Sequence, residues 1–212
     1  MRSLAATIVI VWLCPAVAAA QAPPADRPPA PTSSSTLRRH ATFLLGAAAG
    51  LAVHETGHAT FAAVLGANPR FGRTSGSAFS FFAIHHDPVS RGKEYVISSA
   101  GFWFQHAVSE AILTTHPQLR DEDRPFMKGI VIFHLGTSAI YSVAAFARIG
   151  PDQRDTRGMA VSLGVPEPWI GALILAPAVL DTVRYMRPQA RWARWTSRGA
   201  KVAAVLLVAA AH

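Results

Sequence analysis

The chain has 212 residues, half of them hydrophobic and 15% charged, and its mean hydropathy is +0.25. Its apolar residues are gathered into long runs, which favours a membrane protein over a soluble one. The formal net charge is +8, but Arg and Lys flank the apolar runs and no DNA- or RNA-binding motif is present. We therefore expect lipid head groups, and no nucleic acid, as the partner of this positive charge.

The N-terminal part of the chain has the features of an export signal. Residues 1–20 hold Arg2, an apolar run and then small residues, which predicts a signal peptide or an uncleaved signal anchor. Cys14 is the one cysteine and lies in this leader, so a processed chain is expected to have no disulfide and no cysteine metal ligand. Residues 21–40 are rich in Pro, Ala and Ser, which predicts a flexible linker without a core of its own.

The remaining sequence is predicted to form an all-α, polytopic membrane helix bundle in the cell (inner) membrane. Residues 41–187 form its core, and residues 188–212 form a basic, Trp-rich interfacial segment that ends in an apolar helix too short to span. Residues 77–84 suit a strand or short β-hairpin after the first span. Four spans are expected, at about residues 41–65, 95–113, 126–147 and 169–185.

The motif His54-Glu55-Thr56-Gly57-His58 lies inside the first predicted span. Two histidines four residues apart lie on one face of a helix, so both imidazoles can bind one Zn²⁺ ion. Zinc lowers the pKa of a bound water, and Glu55 is placed to take the proton of that water. Ionisable groups in an apolar helix are costly to bury, which favours a functional role for these three residues.

This motif resembles that of the site-2 protease family of intramembrane zinc metalloproteases, which carry His-Glu-x-Gly-His in one span. The family's third ligand is the aspartate of a Pro-x-x-x-Leu-Asp-Gly-like motif in a later span. Residues 177–181, Pro-Ala-Val-Leu-Asp, are similar but one residue tighter, and imply that Asp181 is the third zinc ligand. Residues 100–105 are similar to the family's Gly-Pro-x-x-x-Asn-like element and imply that Gln105 contacts the substrate carbonyl.

Asp181 can bind the same zinc ion as the histidine motif only if the two lie at the same depth in the membrane. If the second and third spans both cross fully, the first and fourth are antiparallel, and the motif and Asp181 differ in depth by roughly 10 Å. Either residues 126–147 are re-entrant or broken, or the third ligand lies elsewhere. A basic cluster after the fourth span also favours an odd number of crossings. Other candidate ligands in these segments are His106, Glu110, His134, Asp152 and Asp155.

Three functions are consistent with these patterns. The first is an intramembrane zinc metalloendopeptidase that hydrolyses membrane-anchored protein substrates, with Glu55 as the catalytic residue. The second is a non-proteolytic membrane zinc hydrolase that uses the same metal and glutamate. The third is a catalytically silent membrane scaffold of the same fold, against which the intact Glu55 argues. The sequence gives neither the substrate nor the oligomeric state.

Overall fold

A computed structural model describes residues 33–73 and 82–210. The predicted leader and most of the predicted linker lie outside these residues. Within them the chain is helical apart from one two-stranded sheet, which confirms the all-α prediction and the short hairpin. The elements in chain order are α1 (Ser33–Val64), β1 (Arg70–Arg73), β2 (Phe82–His85), α2 (Arg91–Thr115), α3 (Pro125–Ala147), α4 (Asp155–Leu163), α5 (Glu167–Met186) and α6 (Arg191–Ala210).

The long helices follow the apolar runs of the sequence. Each of the four predicted spans lies within one of the helices α1, α2, α3 and α5, apart from one residue at the end of the first. Helix α1 starts at Ser33, so residues 33–40 of the predicted linker are helical rather than flexible in conformation. Among the described helices, α3 and α5 are long and apolar enough to cross a membrane, judged by length and composition.

Of the two alternatives for the third ligand, a broken third span does not apply, because α3 is one continuous helix of 23 residues. Gly129 of this helix serves close packing instead of a break. A side chain at Gly129 would collide with the backbone of Phe43 and Ala47 on α1, and one at Gly46 would collide with the backbone of Phe126. Small residues at such crossings let two helix backbones approach closely.

Contacts between loops fix the direction of each helix. At one end of the bundle, Arg39 near the start of α1 pairs with Asp123 at 2.9 Å, and Arg120 donates to the carbonyl of Met186, at 3.3 Å. We call this the loop end. At the other end, which we call the hairpin end, Arg91 at the start of α2 donates to the carbonyl of Val161 in α4, at 3.1 Å. Helices α1 and α3 therefore run towards the hairpin end, and α2 and α5 run away from it.

The hairpin joins α1 to α2. Its strands are antiparallel, with Arg70 opposite His85 and Phe71 opposite Ile84. Asp87 accepts hydrogen bonds from Asn68 at 2.8 Å and from Arg70 at 2.6 Å, and these bonds lower the pKa of its carboxyl. They tie the end of β2 to the turn after α1. Of the predicted strand at 77–84, residues 82–84 are confirmed, and the others lie outside the described residues.

The largest side chains of the core lie next to the hairpin end. Tyr95 and Phe102 of α2 pack with Met159 of α4 and with Ile170 and Ile174 of α5. All five are at most 3% exposed. Burying a side chain of this size removes about 1.5–3 kcal/mol of unfavourable hydration in water, and this cluster holds α4 against α2 and α5.

Candidate metal centre

Three potential metal ligands meet where α1 approaches α4. The Nε2 atoms of His54 and His58 are 3.0 Å apart, as their positions one helical turn apart on α1 predict. Asp155 Oδ2 lies 3.1 Å from His54 Nε2 and 3.5 Å from His58 Nε2. Zinc holds such ligands at about 2.0–2.2 Å in a tetrahedral arrangement, which places them about 3.3 Å from one another. The three separations therefore fit a single zinc ion.

The second nitrogen of each imidazole is occupied by an acceptor. His58 Nδ1 lies 2.7 Å from the carbonyl oxygen of Ile97, and His54 Nδ1 lies 3.1 Å from Gln105 Oε1. Each Nδ1 is thereby assigned the proton, which leaves a lone pair on each Nε2. Two imidazole lone pairs and one carboxylate oxygen then face a common point. Such a group of acceptors needs a positive charge at its centre, and a metal ion supplies one.

Asp155 is the first residue of the short helix α4. Burial raises the pKa of a carboxyl, but positive charge on the imidazole side of Asp155 outweighs burial and holds its pKa below the ordinary range. With both imidazoles in the neutral tautomer, a bound metal ion would supply that charge. The carboxyl therefore stays ionised at neutral pH, as a metal ligand must be.

Glu55 faces a polar cleft of about 370 Å³ beside these ligands. Its carboxylate accepts a hydrogen bond from the backbone of Ile84, so β2 fixes its position. His58, Tyr141 and Asp155 line the same cleft. A partly buried glutamate next to the candidate metal position has the placement of a general base.

Asp181 is not at this site. It belongs to a second buried cluster with His106 and His134, in which His134 Nε2 lies 3.9 Å from Asp181 Oδ2. The Lys201 ammonium lies 2.7 Å from the same oxygen, and the Arg184 guanidinium lies 3.1 Å from Oδ1. The positive charges of Lys201 and Arg184 thus lie next to the Asp181 carboxylate.

The structure therefore favours Asp155 over Asp181 as the third ligand. The reason is helix direction: α5 runs antiparallel to α1, which puts Asp181 towards the loop end and the motif histidines towards the hairpin end. Glu110 accepts from Arg198 and Lys201, at 2.8 Å each, and belongs with Asp181 in the second cluster. Asp152 pairs with Arg157 on the surface.

Gln105 lies behind His54 and is 2% exposed. Its oxygen contacts the His54 ring, and its Nε2 has no hydrogen-bond partner among the described residues. The proposed contact with a substrate carbonyl stays a prediction, whereas the contact with His54, a candidate metal ligand, is observed. Gly101 from the same segment also touches His54, since a Cβ on it would lie 2.5 Å from the ring.

Sequence reasoning did not find Tyr141 of α3. Its ring packs edge-on against Phe102, with ring centroids 5.2 Å apart, and lies 6.0 Å from the His54 ring. Its hydroxyl lies beside the Asp155 carboxylate in the same cleft. A tyrosine in the middle of an apolar span is the signal that points to it, since a buried hydroxyl needs a partner.

No protein-family model, no curated protein and no solved structure matches this chain.

Proposed function

We propose that this protein is an intramembrane zinc metalloendopeptidase, in which His54, His58 and Asp155 hold the metal and Glu55 is the catalytic residue. The observation that carries the proposal is the convergence of His54 Nε2, His58 Nε2 and Asp155 Oδ2 within 3.5 Å of one another. Three protein ligands with an open fourth position are typical of catalytic zinc sites, whereas structural sites have four. Glu55 lies next to that position.

Each residue of the site has a separate role in the proposed reaction. When bound, zinc would polarise the scissile carbonyl and make a water molecule acidic enough to lose its proton at neutral pH. The Glu55 carboxylate accepts that proton and then donates it to the leaving amine. The Tyr141 hydroxyl lies beside the Asp155 carboxylate, and Gln105 and the Ile97 carbonyl hold the two imidazoles in the tautomer that binds metal.

The hairpin supplies a surface for the substrate. Ile84, His85 and His86 line the cleft next to Glu55. A peptide in helical form has its amides hydrogen-bonded internally, and pairing with β2 would hold it extended instead. We propose membrane-anchored proteins as the substrates, because the bundle around the centre carries long apolar helices with exposed aliphatic side chains. These include Ile132, Ile140, Val143 and Val179.

The first test is metal content of the purified protein in detergent. We expect about one zinc per chain in the parent, in Glu55→Gln and in Asp181→Asn, and loss of zinc in His58→Ala and Asp155→Asn. The two aspartate variants are a matched pair, since both remove one buried carboxylate charge. Zinc retained in Asp155→Asn and lost in Asp181→Asn would overturn the assignment of the third ligand, and a folded parent without zinc would overturn the metal centre.

The second part of the test is hydrolysis. Tagged single-span reporter proteins would be reconstituted with the enzyme in lipid vesicles and their fragments followed on gels. We expect cleavage by the parent and none by Glu55→Gln, although this variant keeps its zinc. Equal cleavage by both proteins would remove Glu55 from the mechanism, and a zinc-loaded parent that cleaves none of a broad reporter panel would contradict the endopeptidase proposal.

A further inference from the structure

Arg154 and Thr156, the residues on either side of Asp155, both donate hydrogen bonds to the carboxylate of Glu167. Arg154 donates to Glu167 from Nε at 2.7 Å and from Nη2 at 2.6 Å, a bidentate pair. Thr156 donates its hydroxyl to Glu167 Oε1, also at 2.7 Å. Glu167 is the first residue of α5, so these three bonds fix the backbone around Asp155 to the start of that helix.

These contacts are well buried. Arg154 is 8% exposed and Thr156 is fully buried, and 10% of the Glu167 side chain is accessible. Charge-assisted bidentate bonds of this kind are short and directional. In contrast, an ion pair on the exposed surface is screened by water and holds little in place.

The other arginine pair at the start of α4 among the described residues, between Arg157 and Asp152, lies on the surface. Arg154 occupies the N-cap position of α4 in an extended conformation, with φ of −73° and ψ of 144°, and makes no side-chain capping bond within the described residues. Arg154 Nη1 instead donates to the carbonyl of Pro151, at 3.0 Å, and closes the loop after α3. The place of Asp155 relative to α1 therefore depends on what holds Arg154 and Thr156.

We propose that Glu167 is a positioning residue for the metal centre: it holds residues 154 and 156 so that the Asp155 carboxylate meets the two histidines of α1. The proposal rests on the metal centre described above, but not on peptide hydrolysis. Glu167 itself does not touch the metal ligands in the described contacts. It acts through the backbone on either side of Asp155.

Glu167→Gln tests this with nearly constant side-chain volume. The glutamine amide keeps one oxygen, but its NH₂ group faces the Arg154 guanidinium. Both groups are hydrogen-bond donors, so the bidentate pair is lost. We expect zinc to bind about 10–100-fold more weakly than to the parent, the range typical for loss of a residue that orients a ligand. Zinc affinity would be measured by competition with a chromophoric chelator. Thr156→Val, which removes a single donor, should weaken binding only a few-fold.

The control variant is Asp152→Asn. Asp152 lies in the same loop and also pairs with an arginine, Arg157, but on the surface. Zinc affinity should stay within about twofold of the parent. Cobalt(II) absorption gives a second measurement, because band position and intensity report on coordination geometry. At saturating cobalt(II), we expect the spectrum of Glu167→Gln to differ from that of the parent, and the spectrum of Asp152→Asn to match it.

The outcomes separate this proposal from the function. Parental zinc affinity and an unchanged cobalt spectrum in both Glu167→Gln and Thr156→Val would overturn it. A lower thermal stability of Glu167→Gln with parental zinc affinity would likewise show a merely structural role. A zinc-binding parent that hydrolyses nothing would contradict the peptidase while leaving the positioning role in place, and a parent without zinc would overturn both.

Discussion

The glycines of the candidate metal centre lie where α1 and α2 touch. A Cβ at Gly57 would lie 2.5 Å from the Ala100 carbonyl oxygen, and a Cβ at Gly101 would lie 2.5 Å from the His54 ring. The absence of a side chain at Gly57 lets α1 and α2 approach closely. The absence of a side chain at Gly101 leaves room for the His54 imidazole. Absence of a side chain at these two positions is therefore part of the geometry that brings His54 into the site.

At this scale we predict that Gly101→Ala weakens zinc binding. The added methyl group must displace the His54 ring from its position beside His58 and Asp155, and a displacement of this kind costs about 1–3 kcal/mol in a packed interior. Zinc affinity by chelator competition is the measurement. Gly136→Ala is the matched control, since a Cβ there meets no atom within 4 Å. An equal effect of both variants would contradict the assigned contact.

At the scale of elements, α6 is held to the bundle by buried charge. Ala193, Ser197, Lys201 and Ala204 form its buried side, while Trp192 and Trp195 are exposed. Lys201 and Arg184 surround Asp181, which is fully buried, and with Arg198 they also bind Glu110. The predicted interfacial segment is thus helical, and its inner side carries the cations that Asp181 and Glu110 require.

We predict that Lys201→Met destabilises the fold. The substitution leaves Asp181 buried with less positive charge beside it, and breaking a buried ion pair from one side costs about 3–5 kcal/mol. Thermal unfolding in detergent would measure this effect. Adding Asp181→Asn to Lys201→Met should recover part of the loss, because the uncompensated charge is then removed. Arg194→Met on the exposed side of α6 is the control, and a loss of stability there as large as in Lys201→Met would contradict the prediction.

At the scale of the whole molecule, the two ends of the bundle predict which segments share a side of the membrane. Of the described residues, 64–73, 82–91 and 148–167 lie at the hairpin end, and 115–125 and 186–191 lie at the loop end. Helix α5 has 20 residues, which at 1.5 Å per residue gives about 30 Å, the thickness of the hydrocarbon core. The candidate metal centre belongs to the hairpin end.

Labelling of single cysteines tests this arrangement. In a Cys14→Ser background we expect Asp152→Cys to react with a membrane-impermeant maleimide from one side of sealed vesicles. Asp121→Cys and Gln189→Cys should react from the opposite side, because α3 separates positions 121 and 152, α5 separates positions 152 and 189, and each of these two helices is proposed to cross once. Reaction of Asp152→Cys and Asp121→Cys from the same side would contradict four full crossings. The same variants in solubilised protein control for reactivity.

The sequence by itself determined the helices and the two histidines of the site. Long apolar runs can satisfy their backbone only as helices, and four-residue spacing on a helix brings His54 and His58 together without help from the rest of the fold. It also showed that Asp181 and the motif lie at different depths if every span crosses, and in the structure the antiparallel directions of α1 and α5 separate them along the bundle.

Only the tertiary structure decided which acidic residue completes the candidate centre. Asp155 lies 101 residues from His54, in a polar loop whose spacing carries no periodic signal. Its place depends on the bonds of Arg154 and Thr156 to Glu167 and on the packing of α4 against α2 and α5. Contacts between residues so distant in sequence depend on helix direction and loop conformation, and local sequence patterns do not encode either of them.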